Sequence, residues 1–205
     1  MILLPFIELS STNQLRIIEY NKMVSKRSAN TRVIAYKMKL KSQLLTTRFN
    51  NSTWKENEDY RKQNPKIGCI YSTPEPNGQH LPFDSVCIIL EMNNDTNRIM
   101  GIGMVRNKPI YNKYNVYSDP KYNGFAYLGK HRIDRADMTE EEERIMKVFD
   151  ILCFKGSRHM KRLKGIKSFP LDMLYRCSSI LDLVEFSANM FKTRANKMIL
   201  ANESE

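Results

Sequence analysis

The sequence predicts an α+β fold: a mainly antiparallel, bent and barrel-like sheet, flanking helices and a helical C-terminal part. Three observations carry this prediction. Short apolar or alternating runs bounded by turn residues recur through the middle of the chain, at Ile67 to Tyr71, Val86 to Met92, Arg98 to Arg106 and Phe125 to Ile133. A capping-box pattern opens a helical stretch at Thr139. From Ser168 to Leu200 apolar residues return at helical spacing. With 205 residues, 41% of them hydrophobic, the chain can bury a full core. It divides into a helical segment over 1–30, a mixed barrel-like domain over 31–170 and a helical extension over 171–205 packed on the same core.

The elements follow in order. Ser11, Thr12 or Asn13 caps a short helix carrying Leu15, Ile18 and Tyr20. From Arg32 to Lys41 the pattern alternates, with Ile34, Tyr36, Met38 and Leu40 on one side and Lys37, Lys39 and Lys41 on the other. That is the period of a half-buried strand with a cationic outer face. The face reads equally as an edge protected by lysines and as a binding surface. Asn50 to Asn64 is polar and holds the single Trp, Trp54, and Pro74, Pro76 and Gly78 mark a loop.

Val86 to Met92 is apolar apart from Glu91, as in a central strand, and a five-residue turn over 93–97 joins it to Arg98 to Arg106. There Met100, Ile102 and Met104 point one way, and Gly101 and Gly103 leave the other side bare, so a crossing strand or packed helix is expected against them. The third Gly of a dinucleotide fingerprint is absent, and no helix follows the strand. Tyr111, Tyr114, Tyr117 and Tyr122 stand among Asn, Asp, Lys and Pro. In the next strand Phe125, Tyr127, His131 and Ile133 share a face, opposite Lys130 and Arg132. Thr139 caps a helix to about Cys153, with Ile145, Val148, Phe149 and Leu152 inward. The last helical region aligns Ile180, Leu183 or Val184, Ser187, Phe191, Ala195 and Met198, a stripe suited to core packing or self-association.

Charge is distributed unevenly. Between Tyr20 and Lys55 there is no acid but nine cations: Lys22, Lys26, Arg27, Arg32, Lys37, Lys39, Lys41, Arg48 and Lys55. Between Ile151 and Leu171 there is again none, with Lys155, Arg158, Lys161, Arg162, Lys164 and Lys167. These two windows hold fifteen of the 33 Lys and Arg, more than the whole net charge of +11. Positive charge set aside in this way points to a polyanion, most commonly nucleic acid.

Catalytic patterns are sparse. His80, His131 and His159 are scattered, no metal-ligand spacing occurs, and no nucleophile motif is present. Asp84 and Glu91 straddle a strand as in some metal-dependent nucleases, but Asn93 stands where such a site places Lys. No cofactor and no metal are expected. Cys69, Cys87, Cys153 and Cys177 form no CxxC pair, and the apolar runs around Cys87 and Cys153 suit free thiols in a reducing compartment. The apolar start over 1–7 is broken by Pro5 and ended by Glu8, too short for a signal or a membrane span. An intracellular protein that does not engage a membrane is expected.

Two resemblances add to this reading. The segments Cys69-Ile-Tyr-Ser-Thr-Pro74, Leu90-Glu-Met-Asn-Asn94 with Ile99-Met-Gly-Ile-Gly103, and Ile151-Leu-Cys-Phe-Lys-Gly156 through Arg158-His-Met-Lys-Arg162 resemble a family of uncharacterised proteins of nucleocytoplasmic large DNA viruses, over roughly residues 54 to 192. That likeness implies a viral gene acting in the host cytoplasm or viral factory, or packaged in the virion. The element order is also similar to PUA-like domains, the EVE, ASCH and YTH group: a Trp-bearing polar segment, a Pro loop, an apolar strand, a Gly-containing strand, and a basic stretch ending in Phe169-Pro170-Leu171. This resemblance implies a bent β-barrel that binds RNA, including modified bases held by aromatic rings.

The residues then fall into roles. Lys155, Arg158, His159, Lys161, Arg162, Lys164 and Lys167, together with Lys37, Lys39 and Lys41, are the expected phosphate contacts, with Gly156 and Gly165 letting backbone come close. Trp54 and the tyrosines of the 111–127 region are the expected stacking surface, with Tyr60, Tyr71 or Tyr127 as the ring beside Trp54, which favours RNA or unpaired strands over duplex DNA. The rival expectation is a virion structural or scaffold protein whose basic surface meets capsid or core partners or packaged genome, with the C-terminal helix as its assembly element.

Overall fold

The computed structural model describes residues 26–76, 81–162 and 164–202. The expected first helix and His80 lie outside them. Among the described residues the chain runs α1 (Lys26–Lys39), β1 (Gln43–Phe49), α2 (Asn51–Gln63), β2 (Cys69–Thr73), β3 (Val86–Asn93), β4 (Arg98–Arg106), β5 (Ile110–Tyr111), β6 (Phe125–Gly129), β7 (His131–Asp134), α3 (Glu140–Phe154), β8 (Lys167–Ser168), α4 (Leu171–Cys177) and α5 (Leu183–Asn202). The class is α+β. The strands form two sheets, a five-stranded one in the order β7-β4-β3-β1-β8 and a three-stranded one in the order β2-β6-β5, with no closed barrel among the described residues. Among the described strands β1 and β3 pair in parallel, and all other neighbours are antiparallel.

Strand alternation sets the layers. Leu44 of β1 and Ile88, Leu90 and Met92 of β3 face α3, α4 and α5, where they join Ile145, Phe149, Leu152, Leu174, Val184 and Phe191. Leu45, Cys87 and Ile89 point the other way, into a second core with Tyr71 of β2, Tyr127 of β6 and, at its margin, Trp54 of α2. The five-stranded sheet is therefore sandwiched. Each fully buried Leu or Ile side chain contributes about 1.5–3 kcal/mol to that arrangement.

The glycine-bare side of β4 meets a crossing strand. A methyl group on Gly103 would overlap the Tyr71 hydroxyl, and one on Gly129 the Met104 carbonyl, so these glycines set the approach of the two sheets. Thr139 caps α3 by accepting from the Glu142 amide at 3.3 Å, and Glu142 accepts in return from the Thr139 amide at 2.9 Å.

Three expectations need correction. Arg32 to Lys41 is no strand: α1 covers it to Lys39, with Val33 and Tyr36 less exposed than their helix neighbours over 31–39 and Leu40 continuing the same spacing just past its end. Tyr36 anchors it, its ring 5.9 Å from Tyr175 and its hydroxyl donating to Asp182 at 3.1 Å. Phe125 to Ile133 is two strands in different sheets, broken at Lys130. The C-terminal region is two helices, and of its predicted stripe Leu183, Val184, Ser187 and Phe191 are buried while Ile180, Ala195 and Met198 are exposed.

Candidate nucleic-acid interface

The second acid-free window leaves α3 at Lys155 and returns to the five-stranded sheet at β8. Two left-handed residues shape it, Gly156 (φ 78°) and Gly165 (φ 64°). There glycine avoids the strain that a side chain would meet. The Met160 amide donates to the Cys153 carbonyl at 2.7 Å, folding the chain back against the end of α3.

The inner side of this loop is held by one cation. Arg48, in β1, donates from Nε to the Met160 carbonyl at 2.7 Å and from Nη1 to the Gly165 carbonyl at 3.1 Å. Its Nη2 donates to Thr46 Oγ1 at 2.9 Å. No carboxylate neutralises Arg48 among the described residues; burial lowers its pKa from the usual arginine range to about 10. It still binds its proton firmly at neutral pH, and its charge is spent on carbonyl dipoles. Asn94 adds a further tie, donating from Nδ2 to the Lys161 carbonyl at 3.2 Å.

The outer side holds the expected phosphate contacts, and they divide. Lys155, Arg162, Lys164 and Lys167 are exposed, with no acidic partner among the described residues. Arg158 pairs with Asp172 at 2.8 Å, and Lys161 donates to Asn97 Oδ1 at 2.7 Å. His159 is half-buried, with Nδ1 enclosed and unpartnered among the described residues. Lys37, Lys39 and Lys41 are exposed at the end of α1 and just beyond it. Lys37 and Lys39 point about 160° apart around the helix, so the three do not form the single cationic face that a strand would have given them.

The expected stacking residues are placed otherwise. Tyr71 and Tyr127 are opposite one another in β2 and β6 and lie wholly within the second core. Neither ring offers a face to a base. Trp54 is half-buried against Phe49 in an edge-on contact at 5.3 Å. The guanidinium groups of Arg132 and Arg61 lie 5.5 and 5.8 Å from its ring centre, so cations already engage it.

Beside Trp54 lies an internal ion network that the sequence did not reveal. Leu90 is opposite Ile102 and Met92 opposite Ile99, so Met100 and Gly101 together face Glu91 in a β-bulge. Glu91 is fully buried. It accepts from Arg132 Nη2 at 2.7 Å and Nε at 3.0 Å, and from the Tyr71 hydroxyl at 2.7 Å. Arg132 also donates to Asp134 at 2.8 Å. Burial works to raise the Asp134 pKa, but the bonds from Arg132 and the Ala136 amide outweigh it and hold the carboxyl below its ordinary range. A methyl on Gly101 would press within 2.8 Å of both Glu91 and Arg132, so this glycine makes room for the pair.

With its oxygens engaged, Glu91 has no free lone-pair direction toward a metal, and Asp84 is an exposed loop residue paired with Arg106 at 3.7 Å. No cluster of three metal-ligating side chains occurs among the described residues. All four cysteines are free and buried, and burial pushes the Cys87 and Cys177 thiols up to about 11 and Cys69 to about 12. They pack as small apolar groups. No helix among the described residues is long and apolar enough to cross a membrane.

Arg48 and the Glu91–Arg132 pair had faint signals. Arg48 stands between Thr47 and Phe49 in a run of strand-forming residues, where a cation on an inner strand needs an internal partner. Glu91 interrupts an apolar strand and so demands a buried cation. No family model and no curated protein matches the chain. The viral and PUA-like likenesses therefore rest on the quoted segments and element order.

Proposed function

We propose that the protein binds nucleic acid without transforming it, RNA in preference to duplex DNA, and that the loop from Lys155 to Lys167 is its phosphate-binding surface. One observation carries this reading. Lys155, Arg162, Lys164 and Lys167 stand exposed without an acidic partner among the described residues, on a loop whose carbonyls Arg48 and Asn94 draw inward. Cations presented on a braced loop lose little freedom when phosphates bind, and each phosphate neutralised releases counterions. Lys37, Lys39 and Lys41 add positive charge elsewhere on the surface.

A relation to PUA-like domains, and a viral origin with action in the infected cell, belong to the same proposal. Support comes from the order of Trp54-bearing α2, the Pro loop, apolar β3 and glycine-containing β4, with two packed sheets in place of a closed barrel.

The test is a pair of salt titrations with a short RNA. Reversing charge at Arg162 and Lys164 together should weaken binding at every sequence and reduce the salt slope by about one unit per lost contact. Unchanged affinity in that variant would sink the reading. Arg158 makes a poorer probe, because its reversal also breaks the Asp172 pair.

A second reading, assembly into a structural or scaffold complex, is favoured by the exposed Met198 and Ile199 near the end of α5. It predicts a concentration-dependent mass that falls when both become Ser.

A further inference from the structure

We infer that Tyr111, backed by Phe125, is the stacking platform for an unpaired RNA segment whose phosphates lie on the Lys155–Lys167 loop. The inference rests on the phosphate-binding role proposed above for that loop. The geometry is a row of side chains across the end of the three-stranded sheet. Thr73 of β2 is opposite Phe125 of β6, and Phe125 is opposite Tyr111 of β5. Residues directly opposite in antiparallel strands place their side chains on one face. The first of the row touches the basic loop: a methyl on Gly165 would stand 2.5 Å from Thr73 Oγ1. Gly165 is flanked by exposed Lys164 and lies two residues before exposed Lys167.

The last member of the row is open. Tyr111 is 66% exposed, and its ring centre lies 5.1 Å from that of Phe125, tilted by 48°. Phe125 therefore supports one side of a ring that is two-thirds exposed. Two strand spacings, about 10 Å, separate the Thr73 contact from Tyr111. That is a short step along a single strand, so one chain can lay its phosphates on Lys164 and Lys167 and a nearby base on Tyr111.

The ring is also firmly placed. The Asn112 amide donates to the Gly124 carbonyl at 2.9 Å, and Gly124 in turn packs against the Pro74 carbonyl. In the adjoining segments exposed Lys108, Lys113 and Lys121 outnumber the acids Glu75 and Asp119, and Asp119 accepts from the Lys121 amide at 3.0 Å. A polyanion that offers π-faces suits this combination of ring and charge. Bases paired in a duplex cannot present a face to a side-on ring, and unpaired segments are the usual target of protein recognition in RNA.

The experiment measures the affinity of the full chain for short oligouridylate, an RNA duplex and an oligothymidylate matched in length to the first, all at two salt concentrations. Tyr111→Ala should weaken oligouridylate binding about tenfold and leave the salt slope unchanged, because the loss is of stacking and no phosphate contact goes with it. Tyr111→Phe should retain wild-type affinity, and duplex binding should not respond to either change. Tyr111→Trp supplies a second readout: oligouridylate should quench its fluorescence beyond the change seen in wild type.

Several results would overturn the inference. If Tyr111→Ala binds oligouridylate as wild type does while charge reversal at Arg162 and Lys164 weakens it, the platform is wrong and the phosphate-binding loop survives. If charge reversal also changes nothing, the loop reading falls first. Equal or tighter binding of oligothymidylate would remove the assignment to RNA.

Discussion

Arg132 and Arg162 carry the same guanidinium group, yet the regions around them use it in opposite ways. Arg132 is buried at the β-bulge, gripped by Glu91 and Asp134 and set beside Trp54. Its charge is cancelled within the protein, and burial makes the cancellation obligatory. Arg162 stands on an exposed loop with no acid beside it among the described residues, and the interior ties of that loop run through carbonyls. Its charge is left for the outside. The difference teaches that a cation's role is set by the dielectric around it and by its partner, and that both come from distant parts of the chain. Arg48 is intermediate: buried like Arg132 and unpaired like Arg162, it spends its charge holding the loop in shape.

The sharpest way to break the comparison is to empty one side of the buried pair. Arg132→Met leaves Glu91 uncompensated and should cost about 3–5 kcal/mol in denaturant unfolding. Changing Glu91 to Leu in the same chain should recover part of that loss, since two apolar groups need no partner. If Arg132→Met unfolds like wild type, the network is not closed in solution.

Arg48→Met comes next. It strands the Met160 and Gly165 carbonyls, at about 1–3 kcal/mol, and hydrogen exchange should quicken from Met160 to Gly165 while β3 stays protected. Uniform exchange changes, or none, would deny Arg48 its bracing role.

Acid should act on the paired carboxylates. Burial raises the Glu142 pKa, but the bond from Arg194 at 2.6 Å and the Thr139 amide outweigh it. Glu143 is held down by Arg135, which donates at 2.7 Å. With Asp134, these groups are lower in the folded state than in the unfolded chain. Their stabilisation is therefore present above the ordinary carboxylate range near about pH 4, and is lost as the pH falls through their depressed values. Removing the Glu142 contribution with Arg194→Gln should flatten the acid limb of a stability–pH curve measured by circular dichroism.

The smallest stability effect belongs to the loop. Arg162→Glu with Lys164→Glu should leave the unfolding midpoint where it was, because exposed, unpaired side chains hold nothing together. The same substitutions should have the largest effect on RNA affinity. A marked fall in stability would show that these cations serve the fold.

Much of the local structure was legible. The strand at Val86, the turn over 93–97, the glycine-bare side of β4 and the capped helix at Thr139 each follow from a short pattern read at one period. Where two periods coincide, legibility fails. In the stretch from Arg32 to Lys41 alternate residues are apolar, yet Val33, Tyr36 and Leu40 also match a helix, and only contact with Tyr175 and Asp182 decides between them. The two basic windows were plain from composition, but which cations within them stay available was not. Arg48 and Arg158 drop out because Met160, Gly165 and Asp172 reach them. The tyrosine-rich stretch was recognisable as a source of stacking rings, while Tyr71 and Tyr127 were chosen by residue type and proved to be core.

By itself the sequence determined the α+β class, the strands at β2, β3 and β4, the capped helix α3, the burial of Cys87 and Cys153 and the concentration of net positive charge in two windows. These depend on near neighbours in the chain, whose periodicity and capping chemistry can be read directly. Tertiary structure alone decided that Glu91 meets Arg132, that Arg48 turns inward, and that Gly165, Thr73, Phe125 and Tyr111 form one row. Each of those depends on strand register or on contacts between remote segments, and a register slip of one residue would send every side chain to the opposite face.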